Sequence, residues 1–482
     1  MSPRTVNNFI AGEHRPARSG ETIPKRAPAT GEVISLVARS TADDTLEAIA
    51  VARDVQPAWA RRTPVERGAI LRRIAQLLER HAEQVAAMVA EETGKSRKEA
   101  LGETGGAIEM GYFVAGEGRR FYGKTTTSGV PNRQASIVRQ PLGVAGLIIA
   151  ANTPIANVAW KVFPALLCGN AAVLKASEDT PETANAFAGL AAEAGVPPGV
   201  LNVVHGLGPE AGQPLVESED VAIISFTGST AVGRMIARIA GGRLAKVCLE
   251  LGGKNPFIVC DDADLDGAAA AAALSAFSNA GQRCAAGSRI IVFDAAYDAF
   301  KEKLLERAAA QRVGATDDDD YGAVINERQM TAMLDAVSGA REAGATVLCG
   351  GERVGDRGYF VAPTLVEGVA IDADIACSEL FGPIATLHRV SGFDEAVAAA
   401  NASPYGLTGA IWTNSVHRAQ EFIGRIQSGV ASVNGPTYGS EPHWPFGGLK
   451  ASGTGWREAG TEALDVYSDW KTVHVTHNPG LV

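Results

Sequence analysis

GVAGLIIAANTPIANVAWKVFPALLCGNAAVLKASEDTP, residues 143–181, alternates short apolar runs with helix-length segments. GVAGLIIA has strand length, and the segment from Pro154 to Cys168 has helix length. AAVLK is a second strand, and Pro181 to Ala194 a second helix. The rhythm continues through LNVVHG, a further helix and AIISFTGS. Strands that alternate with helices in this way form parallel β-α units, because a parallel neighbour is reached only by a crossover. The fold class is therefore α/β with a doubly wound sheet, able to hold a nucleotide at the carboxyl ends of its strands.

Working outward, a second α/β portion starts near KNPFIV and runs through Ser452, with RIIVF and ELFGPIATLHRV suggesting a sheet of its own. RQASIVRQ (133–140) and SDWKTVHVT (468–476) are alternating, β-prone stretches outside the α/β rhythm. Exposed β edges tend to be covered, often by another subunit. Upstream, TPVERGAILRRIAQLLERHAEQVAAMVAEETG opens a clear helix. Thr63 and Glu66 have capping-box spacing, Pro64 lies in the first turn and Gly94 offers the stop. Ile70, Leu71, Ile74, Leu77 and Leu78 form its inward face.

At 482 residues the chain exceeds what one core serves, so two or three domains are expected. With 46% hydrophobic and 20% charged residues it reads as an ordinary globular protein, and a net charge of −10 argues against nucleic acid as a partner. The N-terminal stretch has no secretory pattern and no apolar run reaches membrane-span length, so the expected location is cytoplasmic. Six cysteines without paired short spacing indicate neither a disulfide framework nor a metal site.

Cys168, Cys248, Cys260, Cys349 and Cys377 lie in or beside apolar stretches and read as space-filling. Cys284 differs. In NAGQRCAAGSR (279–289) it is set among small residues, with Arg283 and Arg289 close in sequence, and a nearby cation favours thiolate. FTGSTAVG (226–233) follows a strand and opens a helix. Gly228 and Ser229 there are either a plain turn or a pyrophosphate seat. ELGGKNP (250–256) places Glu250 at a strand end, as a solvated carboxylate or a working one. ANTP (151–154) places Asn152 at a strand-to-helix junction, as an N-cap or a working amide.

Together, and joined by LKASEDTP, LGPEAG, ELFGP and PFGGLKASG, these ordered motifs resemble the aldehyde dehydrogenase superfamily over nearly the whole chain. The resemblance implies two doubly wound domains and a small β arm. The cofactor domain would comprise residues 1–120 and 142–252, the catalytic domain 253–453, and an oligomerisation arm 121–141 with 463–482, giving a homodimer or homotetramer. By position, Cys284 matches the nucleophile, Glu250 the general base, Asn152 the oxyanion amide and Lys161 a frequently retained active-site lysine. Lys175 and Glu178 match holders of the adenosine ribose; Gly208, Gly228 and Ser229 lie along the adenosine and pyrophosphate, and Glu379 with Phe381 flanks the nicotinamide end. The implied cofactor is NAD, since the Glu178 carboxylate would repel a 2′-phosphate, with NADP possible through Lys175.

The implied reaction explains the residue types. Hydride leaves a tetrahedral thiol adduct more easily than an sp² carbonyl, donors must await the oxyanion, and a base must activate water against the resulting thioester. For the substrate, small Ala151 and Thr153 beside Asn152, with Trp160, Tyr438, Trp444 and Phe446, suggest an aromatic or other bulky uncharged aldehyde. Arg283 supports the alternative of an acidic semialdehyde. Retention of Glu250 argues against a coenzyme-A-acylating relative, and intact Cys284, Glu250 and Asn152 argue against a non-catalytic structural protein on the same fold.

Overall fold

The computed structural model describes residues 2–481. Its first large sheet has the spatial order Lys246–Glu250, Val221–Thr227, Val144–Ile148, Ala171–Lys175, Leu201–Val204, all parallel, extended by the antiparallel strands Asn8–Ile10 and Glu13–Arg15. The chain therefore winds outward in one direction from Val144–Ile148 and then returns to that strand's other side with Val221–Thr227. That reversal is a topological switch point, where the two following loops diverge and leave a crevice. Helices Pro154–Leu167 and Pro181–Glu193 lie close to the ranges expected from sequence.

The second sheet has the order Thr346–Cys349, Thr364–Glu367, Ile384–Val390, Gly287–Phe293, Asn255–Val259, Thr408–Trp412, Val430–Val433. It is parallel except for its first strand. The fold class is α/β with two such sheets. They are connected by Leu251–Lys254 alone, between a strand ending at Glu250 and one starting at Asn255. The carboxyl edge of the first sheet thus faces the amino edge of the second.

A third, three-stranded sheet stands apart. Ser468–Thr476 pairs antiparallel with Arg133–Pro141 along its whole length, and Lys124–Thr126 flanks the other side. Its Trp470, Val473 and Val475 are solvent-exposed. Arg139 anchors it, stacked 4.1 Å from the Trp470 ring centroid and paired with Asp465 at 2.6 Å. Among the described residues no helix is long and apolar enough to cross a membrane.

Three local expectations change. The helix expected from Thr63 to Gly94 is two, Pro64–Arg80 and Ala82–Thr93, broken at His81, while Thr63 and Glu66 do form the reciprocal cap and Gly94 takes the left-handed stop. It is preceded by a helix the sequence reading missed, Ala42–Ala60, which carries Pro57 inside it and buries Trp59. Cys349 and Cys377 are partly exposed, unlike the buried Cys168, Cys248 and Cys260.

Buried Asn170 ties the first sheet to the C-terminal segment. Its Oδ1 accepts the Leu142 and Gly143 N–H groups at 2.8 and 3.0 Å, and its Nδ2 donates to the Ala165 and Tyr467 carbonyls at 3.1 and 2.8 Å. Truncation strips the Leu142 and Gly143 N–H groups and the Tyr467 carbonyl of these partners, each bond worth about 1 kcal/mol, while the Ala165 carbonyl keeps the backbone N–H of residue 170. Asn170→Ala is expected to lower the apparent Tm by several degrees and to loosen the C-terminal strand; an unchanged melting curve with unchanged protease resistance near residue 467 contradicts this.

Candidate active site

The residues singled out in the first half of the chain lie along the carboxyl edge of the first sheet. Glu250, Thr227 and Lys175 end their strands, and Asn152 and Gly208 each follow four residues after theirs. Asn152 and Ser229 sit on the two loops that diverge at the switch point. Cys284 comes from the other side, three residues before the strand Gly287–Phe293, and so reaches the same crevice from the amino edge of the second sheet.

The chain reaches Cys284 through an unusual turn. Helix Leu265–Phe277 is followed by Asn279 (φ 54°, ψ 35°), Ala280 (φ 51°, ψ 35°) and Gly281 (φ 66°), three consecutive left-handed residues. Each non-glycine there costs roughly 1–2 kcal/mol, so the surroundings must impose the turn. Glu99 accepts the Asn279 N–H. Gln282 Oε1 accepts the Ile325 N–H at 2.9 Å. A Cβ on Gly281 would lie 2.0 Å from the Gly382 carbonyl oxygen, so only glycine fits. Beyond the turn, Asn255 Nδ2 donates to the carbonyls of Cys284 and Ala286, both at 2.8 Å, and Thr437 Oγ1 donates to that of Ala285 at 2.6 Å. The sequence reading missed Gln282, Asn255 and Thr437; Asn255, at a strand start in GGKNP, was the one with a visible signal.

Burial pushes the Cys284 thiol up to about 12, reinforced by the carboxylates of Glu379 and Glu250; the Ala285 N–H and Arg283 oppose this less strongly. Arg283 does favour the thiolate, as expected of a nearby cation, but burial outweighs it. Arg283 turns onto the Tyr438 ring, 4.5 Å from its centroid, with Nε donating to Ser278 Oγ at 3.3 Å and Nη2 standing 3.9 Å from Glu99. Arg289 is wholly buried and donates to the Ala376 and Ala399 carbonyls at 2.9 and 2.8 Å.

Glu250 is buried with both carboxyl oxygens unpartnered. Burial holds it well above the usual carboxylate range, aided by the Glu458 charge and opposed by Lys161 and Arg457. The reading of Glu250 as a solvated strand end is excluded. A Cβ at Gly447 would come within 2.7 Å of Glu250 Oε1, so the glycine of PFGG makes room for the carboxyl. Behind it, fully buried Lys161 is paired with Glu458 at 2.5 Å and donates to Ser225 Oγ at 2.8 Å. Lys161, expected among the catalytic residues, thus has its ammonium engaged below Glu250. Glu458 was missed, since GWREAG carries no local signal for a buried acid.

Asn152 donates through Nδ2 to the Gln282 carbonyl at 3.0 Å, leaving one amide N–H for a further acceptor. It is not the helix cap: Glu103 Oε1 takes the Ile155 and Ala156 N–H groups at 3.0 and 3.3 Å. Lys95, ion-paired with Glu103, donates to the Asn152 carbonyl at 2.7 Å. Among the described residues the Cys284 backbone N–H meets no acceptor, so two donors are left open beside the sulfur.

At the far end, Lys175 Nζ lies 3.2 Å from Glu178 Oε2. Burial works to raise Glu178, yet Lys175, backbone donation and Arg328 hold it below the usual range. No atom lies within 4 Å of where a Cβ on Gly208 would stand, Ser229 caps the helix Thr230–Gly242, and buried Thr227 Oγ1 has no partner. An open glycine, a helix N-terminus, an orphan hydroxyl and a lysine–glutamate pair along one strand edge fit a dinucleotide. Glu379 accepts the Gly253 N–H at 2.9 Å and is pushed up to about 7 by burial; Phe381, left-handed at φ 54°, lines the same narrow crevice with Lys254 and Arg283.

The expected aromatic residues do not make one wall. Trp160 meets Phe446 edge-on at 5.5 Å and Tyr438 lies under Arg283, but Trp444 is 50% exposed and packs edge-on against His443 at 5.6 Å. Thr153 Oγ1 accepts from Asn157 at 3.2 Å. A cavity of about 580 Å³ lies elsewhere, on the β arm between Thr125–Ser136 and Val473–Val475.

The profile of the aldehyde dehydrogenase family matches residues 14–473. The chain belongs to that family. An α-ketoglutaric semialdehyde dehydrogenase of Bacillus subtilis is 38% identical over 478 residues, covering 98% of both chains. A mitochondrial benzaldehyde dehydrogenase of Antirrhinum majus is 39% identical over 96% of this chain and 88% of its own. The crystal structure of an NAD-dependent aldehyde dehydrogenase from Sinorhizobium meliloti superposes with a TM-score of 0.96 at 38% identity, over 98% of this chain and 95% of that one.

Because the thiolate is the alkylating species, Cys284 modification by iodoacetamide without cofactor is expected to rise about tenfold per pH unit between pH 7 and 10. A plateau beginning near pH 7 would show the thiol is not held up by its surroundings.

Proposed function

We propose that the protein oxidises an aldehyde carrying a carboxylate, an acidic semialdehyde, to the corresponding dicarboxylate. The aldehyde dehydrogenase activity belongs to the family; the substrate class and the residue roles are this reading's own. The observation that carries the chemistry is the convergence on Cys284 of two open donors and an unpartnered buried carboxyl. Cys284, releasing its proton to solvent, adds to the aldehyde carbon, and the Asn152 amide with the Cys284 N–H receives the oxyanion. NAD, when bound along the strand edge, would supply the hydride acceptor needed to reach the thioester level. Glu250, as the carboxylate, then removes a proton from water attacking the thioester and returns it to the departing Cys284 sulfur as the carboxylic acid leaves.

The acidic class rests on Arg283. Arg283 is the residue before the nucleophile in sequence; of its five N–H donors only Nε is hydrogen-bonded, to Ser278, while Nη2 stands 3.9 Å from Glu99. The similarity to a relative named for α-ketoglutaric semialdehyde supports the same class. The aromatic reading keeps one specific support, the Trp160–Phe446 pair together with Tyr438 and the benzaldehyde dehydrogenase relative, but it loses Trp444 as a wall. For the cofactor, Glu178 favours NAD, and its pairing with Lys175 leaves NADP accessible if that pair opens. The arm, with its exposed Val473 and Val475, would join subunits in a homodimer or homotetramer, and six unpaired cysteines suit the cytoplasm.

A panel of succinic and α-ketoglutaric semialdehydes against benzaldehyde, with NAD and with NADP, tests the substrate. Arg283→Ala is expected to cut kcat/KM for acidic aldehydes by about a hundredfold, as for a lost charge-assisted hydrogen bond, and to leave benzaldehyde within about threefold. Faster benzaldehyde turnover in the unmodified protein, with no selective loss in the variant, restores the aromatic reading. Glu250→Gln is expected to release one equivalent of NADH per site and then stall; normal steady turnover assigns the base elsewhere.

A further inference from the structure

Two asparagines from opposite sides of the crevice meet on one acceptor, the Gln282 carbonyl, beside the nucleophile. Asn152, on the loop after strand Val144–Ile148, donates through Nδ2 to the Gln282 carbonyl at 3.0 Å. Asn279, on the left-handed turn before Cys284, donates in the opposite sense through its own Nδ2, to the Asn152 carbonyl at 3.3 Å and to the Gln282 carbonyl at 3.0 Å. Asn279 is 2% exposed, and neither the chemistry nor cofactor binding described above uses it.

We propose that Asn279 is a positioning residue that fixes the spacing between the Asn152 amide and the Cys284 sulfur. This rests on the oxyanion role of Asn152. Without Asn279, the direct link between the Asn152 loop and the Gln282 carbonyl is the Asn152 side chain itself, the group whose remaining N–H must face the oxyanion. A second amide bonding both carbonyls shares that task with Asn152 and ties its backbone to the turn that carries Cys284. The residue type follows from two demands. The position is left-handed, which Asn, Asp and Gly tolerate best, and it must donate to two carbonyl oxygens, which Asn alone among those three can do.

The experiment compares Asn279→Gly, Asn279→Asp and Asn152→Ala in the full-length protein, reading Tm, KM for NAD and the rate of the first-turnover NADH burst. Asn279→Gly removes both donors while relieving backbone strain. It is expected to keep or raise Tm, to keep KM for NAD within about twofold, and to slow the burst by about 10–100-fold, the range for a displaced catalytic group. Asn279→Asp, which presents a carboxylate to two carbonyls, is expected to be slower still. A burst within threefold of the unmodified rate in Asn279→Gly, with Asn152→Ala slow, overturns the positioning role and leaves the oxyanion role standing. A normal burst in Asn152→Ala removes the oxyanion role and the inference with it. Loss of soluble protein in both Asn279 variants assigns the residue to folding and also overturns the proposal.

Discussion

Everything at the site depends on the four residues Leu251–Lys254. They are too few to let the second sheet swing away from the first, so the strand ending at Glu250 and the strand starting at Asn255 place a carboxyl edge against an amino edge. A doubly wound sheet on its own offers a ligand only loops following its strands. Here a loop preceding a strand of the second sheet enters the same crevice, and Cys284 arrives on it. The short connection is itself pinned, since the Leu251 N–H donates to the Ser452 carbonyl and Gly253 donates to Glu379.

Burial is the dominant electrostatic influence in that crevice. Glu250, Glu379 and Cys284 are all pushed toward their protonated forms by burial, and Lys254, pushed down to about 7, toward its uncharged form. Lys161 and Glu458 face each other instead of the crevice. A cationic group entering beside Glu379 would shift the balance toward carboxylate and thiolate together, because the same charges that oppose ionisation of the sulfur would then be compensated.

The fold was largely legible because its signals are local. Apolar runs of strand length, prolines at Pro154 and Pro181 and the cap at Thr63 each declare an element without reference to anything distant. The residues that converge on the crevice were legible through motif order. What stayed hidden was long-range. Arg283 beside Cys284 in sequence suggested a cation on the sulfur, but its direction is set by Tyr438, from a loop about 150 residues later, and by Glu99, from a helix far earlier. Glu458 beneath Glu250, and Glu103 capping a helix in place of Asn152, are likewise partners that no spacing rule connects. Aromatic content in the loop 434–448 could be counted, but the outward direction of Trp444 could not.

The C-terminal segment carries a consequence for how the chain is made. Phe446–Gly453 closes over Glu250, Glu458 supplies the partner of Lys161, Tyr467 accepts from Asn170, and Ser468–Thr476 completes a sheet begun at Arg133. During synthesis, the first sheet emerges long before any of these, and Lys161 must wait nearly 300 residues for its counter-ion. Until then a buried ammonium and an unfinished sheet edge stay open to solvent or to chaperones, since closing such long loops is slow. A ribosome-stalled or truncated chain lacking residues 446–476 would contain Cys284, Glu250 and Asn152 without the segment that encloses Glu250 and without the counter-ion of Lys161.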